Sequence, residues 1–270
     1  MNVKDWLKDW PVPSAAAVVT DANDTLAATG PVDEPYPWAS VTKLITALTV
    51  LTAVDRGEAD LDEPAGPPGA TLRHLLAHAS GLAPDGDTVL SPPGRRRIYS
   101  NRGIELAADL VAARTGTPFA DLLHQRVLAP LGMPGTVVDG SPAHAGRGPV
   151  SDLARLGREL LRPTLAPALM SEATRPVFPG LSGVLPGYGR QDPNDWGLGF
   201  ELRDGKSPHW TGMRNSSRTF GHFGQSGSFL WVDPELGLAC TAVADRPFGD
   251  WAVAAWPAFS DAVIAEFAGR

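Results

Sequence analysis

Cys240 is the only cysteine among 270 residues, so no disulfide can form within the chain and the redox compartment stays open. Basic runs are equally scarce: 23 Lys+Arg face 30 Asp+Glu, the net charge is −7, and "RRR" at 95–97 is the longest cationic run. That balance excludes nucleic acid and anionic membrane surfaces as partners. No stretch of about 18 uncharged apolar residues occurs, which excludes a membrane-spanning helix. The opening "MNVKDWLKDWPVPS" places Asp5, Lys8 and Asp9 where a secretory signal needs an apolar run, so a cytoplasmic protein is expected. There is no internal repeat and no low-complexity linker.

What remains is a globular composition, 43% apolar, long enough for one large domain or two packed lobes. "SAAAVVTDANDTLAATG" predicts two strands turning at Asp21–Asp24, because Asn and Asp tolerate turn dihedrals. A helix follows over Val41–Val54, closed by Gly57, and then the Pro- and Gly-rich loop "DEPAGPPGA". Helical signals recur in "TLRHLLAH" (to near Ser80–Gly81), Asn101–Arg114, "PFADLLHQRVL" and "SDLARLGRELL". Residues 197–245 predict strands at "GLGFEL", "TFGHFG", "SFLWVD" and "LACTAVA". The terminal "WAVAAWPAFSDAVIAEFAG" predicts a helix kinked or broken at Pro257. The pattern implies an α/β (α+β) fold in which an antiparallel sheet lobe (about 1–60 and 180–270) flanked by terminal helices accepts a mainly helical insertion (about 61–179).

One lysine stands out in "YPWASVTKLITALTVLTAV". Only Lys4, Lys8, Lys43 and Lys206 are lysine in this arginine-rich chain, and no other charge appears between Lys43 and Asp55. A helix apolar all round is buried, and burial lowers a lysine's pKa, which arginine would resist. Ser40, three residues earlier, shares its helical face, so the amine can serve as its base. The first helical turn also favours negative charge. Snorkelling by Lys43 with simple capping by Ser40 is the competing reading.

Two further stretches bear on the choice. Tyr99 in "RRRIYSN" lies among cationic groups that would lower its pKa and let it pass a proton, or else it merely packs while Asn101 caps a helix. In "GHFGQSGS", Gly224 permits close approach of a ligand and the Gln225 amide can face a cleft, unless this is only a glycine-rich turn.

In order, S-V-T-K at 40–43, Y-S-N at 99–101 and H-F-G at 222–224 resemble the S-x-x-K, Y-x-N and K-T-G elements of the penicillin-recognising serine hydrolases. "TLRHLLAHASGL" (71–82), "LAPLGM" (128–133) and "WGLGF" (196–200) are similar to segments of the class C β-lactamase branch. That branch includes D-Ala-D-Ala carboxypeptidases, D-aminopeptidases and β-lactamase-like esterases. The resemblance implies the β-lactamase/transpeptidase fold, with Ser40 as acylated nucleophile, Lys43 as its base and Tyr99 as proton shuttle. Asn101 would orient Lys43 and the substrate, and the N–H groups of Ser40 and Gln225 would hold the oxyanion, with no metal or cofactor.

His222 departs from the pattern, standing where β-lactamases carry a carboxylate-binding lysine. An unperturbed histidine is largely neutral at pH 7, so carboxylate recognition weakens. A small-molecule ester or amide is the expected substrate. D-amino-acid peptidase, carboxypeptidase or β-lactamase activity is the alternative, and a catalytically silent binding module is the reading from another class. His74 and His78 have zinc-helix spacing without the companion glutamate and are expected to be structural. Ser226 lacks the second glycine of G-x-S-x-G and is a poor rival nucleophile.

Overall fold

A computed structural model describes residues 5–269. Strands β1 (Ala15–Thr20) and β2 (Thr25–Thr29) form the first hairpin, and β3 (Pro35–Pro37) leads through a 3-10 turn at Ala39–Val41 into helix α1 (Thr42–Asp55). Helices α2 (Leu72–Leu76), α3 (Asn101–Thr115) and α4 (Phe119–Leu123) follow, the last continuing as a π turn over His124–Leu128. Short strands β4 (Val137–Val138) and β5 (Gly146–Pro149) precede helices α5 (Val150–Leu161) and α6 (Pro167–Ala173). A hairpin of β6 (Gly183–Leu185) and β7 (Gly189–Gln191) comes next. Then come β8 (Glu201–Leu202), β9 (Phe220–Gly224), β10 (Ser228–Asp233), β11 (Leu238–Ala244) and helix α7 (Asp250–Phe267).

Both ends of the chain build one antiparallel six-stranded sheet, ordered β2-β1-β11-β10-β9-β8, with Ala15 opposite Ala244. Strand side chains alternate between faces. In β10, Phe229 and Trp231 enter the aromatic core beneath α7, while Leu230 and Val232 enter the core shared with α1 and α5. Both faces are covered, so "SFLWVD" reads as a continuous apolar run rather than an alternating one. Turns at residues 6–9 set Trp6 and Trp10 edge-on against Phe259 of α7, at 5.6 and 5.4 Å.

Helix α1 is buried from Thr42 to Ala53. Its threonines survive there because each hydroxyl has a carbonyl partner: Thr46 on Pro142, Thr49 on Ile45 and Thr52 on Thr49. Gly57, with φ 69°, ends the helix as expected.

Four local expectations change. Helix α2 stops at Leu76, because His78 adopts φ 53° and the Ala77 carbonyl is taken by a side chain, that of Arg97. Ser100 rather than Asn101 caps α3, accepting the Gly103 N–H. Only Glu201–Leu202 of "GLGFEL" pairs as strand. The rest crosses α1 closely: a Cβ on Gly199 would lie 2.3 Å from that of Ala47. Helix α7 runs unbroken through Pro257, held to the sheet by Trp256, Phe259, Val263 and Ile264. No described helix is long and apolar enough to cross a membrane.

Arg97, the last residue of "RRR", is buried rather than solvated and ties three loops together. It donates to the carbonyls of Asn194 (3.0 Å), Ala77 (2.6 Å), Val177 (2.9 Å) and Phe178 (3.0 Å), with Asp195 at 3.7 Å. Arg97→Met strands these acceptors and is expected to lower stability by about 3–5 kcal/mol. Thermal unfolding should fall by roughly 10 °C, and Arg97→Lys should restore only part of it, since an ammonium cannot reach the same fork of acceptors. A variant melting within about 2 °C of the parent would refute the tether.

Candidate active site

The segment carrying Ser40 is fixed before the helix begins. Trp38, fully buried, donates its indole N–H to the Gly148 carbonyl at 3.0 Å, and its backbone N–H bonds the Gly146 carbonyl at 2.8 Å. Ala39 takes φ 44°, a left-handed conformation uncommon for a residue with a side chain. Thr42 closes the turn on the Ala39 carbonyl at 2.6 Å and accepts the Gly146 N–H at 2.9 Å.

The end of β9 is stitched to the same segment. Ser226 donates to the Pro37 carbonyl and Ser228 to the Trp38 carbonyl, each at 2.7 Å. This use of the hydroxyl explains "GQSGS" without a second nucleophile. Gly224 must be glycine, because a Cβ would lie 2.2 Å from the Trp38 oxygen and 2.5 Å from Ser228 Oγ. Gln225 follows at once and lines one small cavity with Ser40, Tyr99 and His222. Trp196, Phe223 and the hairpin residues Leu185 and Pro186 complete a space of about 60 Å³.

Lys43 does not snorkel: it is wholly buried, with Nζ 3.1 Å from Ser40 Oγ, 2.7 Å from Asn101 Oδ1 and 3.0 Å from the Ala143 carbonyl. Burial lowers its pKa from 10.5 to about 7, against the pull of Asp85 and Glu105. In the neutral amine, two N–H bonds satisfy Asn101 and Ala143, which only accept there. The lone pair is left for the Ser40 hydroxyl.

Tyr99 lies 2.6 Å from Ser40 Oγ and donates to it, with Lys43 Nζ 4.6 Å from its ring centre. The expected lowering of its pKa is reversed. Burial raises it, the Ser40 hydrogen bond only partly offsets this, and Asp85 adds to the rise. The nearby lysine is itself pushed towards neutrality, so it lends little positive charge. Tyr99 is thus a neutral donor to Ser40, and Ser40 has its own proton free for Lys43.

Asn101 is engaged on both sides, accepting from Lys43 and donating through Nδ2 to Asp85 at 2.9 Å. His222 is buried, its Nδ1 lies 2.7 Å from the Phe223 carbonyl, and burial with Lys43 nearby pushes its pKa down to about 3. It is neutral at pH 7.

All seven sequence-selected residues therefore meet in one place. Three neighbours escaped sequence reasoning, and a fourth, His78, was expected only to be structural. The Ala143 carbonyl has no side-chain signature, and Asp85 lies in an ordinary loop. Trp196 stood in a recognised segment without a role. His78 packs 4.7 Å from both Tyr99 and Trp196 and accepts the Ser100 N–H at Nδ1. His74 instead bonds Thr71 and stacks on Phe178, so the zinc-like spacing places the two rings in different surroundings. Among the described residues no group of three or more His, Cys, Asp or Glu is arranged to hold a metal.

Comparison with known proteins bears on the family and the fold. Residues 3–262 match the family model described as Beta-lactamase. The crystal structure of a beta-lactamase from Mycobacterium bovis is 51% identical, covers 99% of this chain and 100% of its own, and superposes with a TM-score of 0.97. Unliganded simvastatin synthase from Aspergillus terreus shares the fold at TM-score 0.79, with 18% identity and coverage of 99% and 97%. The D-alanyl-D-alanine-carboxypeptidase/endopeptidase AmpH of Escherichia coli strain K12 is 29% identical over 146 residues, which span 40% of this chain and only 38% of that protein. With the family model matched over almost its whole length and a β-lactamase/transpeptidase fold, the chain belongs to the beta-lactamase family of serine hydrolases.

Proposed function

We propose that this protein hydrolyses a small ester or amide through an acyl-enzyme on Ser40. The observation that carries the reading is the hydrogen-bond arithmetic at Lys43: two obligate acceptors take the amine's N–H bonds, and its lone pair faces the serine hydroxyl.

In the proposed reaction Ser40 Oγ attacks the substrate carbonyl carbon while its proton passes to Lys43. The backbone N–H groups of Ser40 and Gln225 receive the negative charge on the carbonyl oxygen, each such donor being worth about 10²- to 10³-fold in rate. Tyr99, still protonated, gives its proton to the departing alkoxide or amine, and the phenolate then takes back the proton that Lys43 received from Ser40. Water then cleaves the acyl-enzyme. Asn101 and Ala143 hold the ammonium in place while it exists. We also propose that the chain works as one domain, with the sheet lobe supplying Ser40, Lys43 and Gln225 and the helical lobe supplying Tyr99 and Asn101.

Two observations favour a small uncharged substrate over a β-lactam or peptide carboxylate. The cavity of about 60 Å³ is well below the roughly 300 Å³ at which drug-sized ligand pockets begin. Neutral His222 also offers no cation. β-Lactamase or D-amino-acid peptidase activity is the second reading, favoured by what the Mycobacterium bovis and Escherichia coli proteins are named for.

A fluorophosphonate should add covalently to Ser40, read by intact and peptide mass spectrometry. Ser40→Ala should lose the adduct and lower kcat/KM for p-nitrophenyl acetate on the order of 10⁴-fold or more. Equal ester turnover by parent and variant would sink the proposal, and faster turnover of nitrocefin or a D-alanine amide would favour the second reading.

The pH profile has a defined sign. Below its pKa Lys43 is an ammonium without a lone pair, so kcat/KM should rise as pH passes through about 7 and then level off. Burial holds the Tyr99 phenol above its ordinary 10.0, so no falling limb from that group is expected below pH 10. A profile flat from pH 5 to 9 would remove Lys43 as base.

A further inference from the structure

One wall of the cavity carries an acceptor with nothing to accept. His222 is only 3% exposed, and its Nδ1 sits 2.7 Å from the Phe223 carbonyl oxygen. A carbonyl can only accept, so Nδ1 carries the single proton of the neutral ring and Nε2 is left as a bare lone pair. That Nε2 is buried and has no hydrogen-bond partner among the described residues. Buried polar atoms in native proteins are normally satisfied, and one that lines a substrate cavity is satisfied by the substrate.

Trp196 lines the same cavity, and its indole N–H is likewise buried without a partner. The two ring centres are 5.4 Å apart, so the unpartnered donor and the unpartnered acceptor sit on neighbouring residues of the same cavity. Among the described residues neither arginine nor lysine lines the cavity, and Lys43 lies behind Ser40, occupied by Asn101 and Ala143.

We infer that this subsite takes an uncharged acyl group bearing a hydrogen-bond donor, best a hydroxyl, that donates to Nε2 of His222 and accepts from Trp196, and that it rejects a carboxylate. The inference rests on the hydrolase reading and names the substrate class of that site. A carboxylate would set its lone pairs against that of Nε2 with no cation in the wall to balance them. The low pKa of His222 agrees, since the ring stays unprotonated across the working range. A 2-hydroxyacyl group is the smallest that fits, which matches the volume.

The test compares phenyl esters of glycolic acid, isosteric propionic acid and the malonic half-acid, each rate divided by its hydroxide-catalysed rate. The parent should favour glycolate over propionate by roughly tenfold or more in kcat/KM and disfavour the malonate half-ester by about 100-fold or more. His222→Phe should bring the glycolate-to-propionate ratio close to one, whatever its absolute rates. In parallel, Ser40→Ala, which cannot be acylated, should bind glycolamide in preference to propionamide and malonamate by ligand-observed NMR.

Ser40-dependent turnover without a glycolate preference, or with the malonate preferred, overturns the inference and leaves the hydrolase reading intact. Preferential glycolamide binding without Ser40-dependent turnover overturns the hydrolase reading and upholds the subsite. The absence of both overturns both.

Discussion

A primary amine buried among neutral acceptors is the constraint on which the site depends. Lys43 and Lys206 are both buried, but Lys206 is paired with the Glu201 carboxylate, whereas the hydrogen-bond partners of Lys43 among the described residues are an amide oxygen, a backbone carbonyl and a hydroxyl. The Asp85 carboxylate stays one partner away, bonded to Asn101, and that of Glu105 lies farther off, bonded to Ser141, whose hydroxyl accepts the Ala143 N–H. Their distance decides the chemistry: in direct contact they would pull the amine towards its charged form, as Glu201 does for Lys206 against the larger lowering by burial. Holding the amine near pKa 7 instead of 10.5 sets the fold back on the order of 5 kcal/mol relative to a solvated lysine. A scaffold that tolerates such a term must be over-determined elsewhere, and the surroundings of Ser40 are where this is visible.

That over-determination comes from opposite ends of the chain. The 37–42 segment is fastened to the 146–148 strand by Trp38 and Thr42, and to the β9–β10 turn by Ser226 and Ser228. Tyr99 is fastened separately, through Arg97 on one side and the Ser100 contacts to Ala83 and His78 on the other. A hydroxyl that must sit 2.6 Å from a phenol and 3.1 Å from an amine leaves little room for loop motion. The buried bonds to backbone carbonyls supply the rigidity that positioning requires.

How much of this was legible depended on whether the signal lay in side-chain type or in backbone placement. The burial of α1 could be read because every exposed helix needs a polar face and this one has none, and the strands β9–β11 could be read because β-branched and aromatic residues cluster between turn residues. Ser40 with Lys43, and Tyr99 with Asn101, were visible as spacings. The Ala143 carbonyl was not, because any residue presents one. The premature end of α2 and the loop in "WGLGF" were missed for a related reason: each is set by a distant contact, Arg97 on Ala77 and Gly199 on Ala47, which overrides local propensity. The break foreseen at Pro257 does not occur, since packing of α7 on the sheet outweighs the lost hydrogen bond. The sign of the Tyr99 shift was misjudged because charge was counted without burial.

Burial, acting on three different groups, also orders their proton affinities. It lowers Lys43 to about 7 and His222 to about 3 but raises Tyr99, because the charged form is a cation in the first two and an anion in the third. Near pH 8, then, all three are neutral, and each has one role left: Lys43 accepts, Tyr99 donates and His222 accepts. In the proposed reaction this ordering gives proton flow a direction, from Ser40 to Lys43 and from Tyr99 to the leaving group, without a fixed charge to enforce it. The same neutrality sets what the pocket can admit. A substrate charge entering so small a space would meet hydrogen-bonding partners but no counter-ion, and the desolvation it would suffer is the same penalty that strips the proton from Lys43.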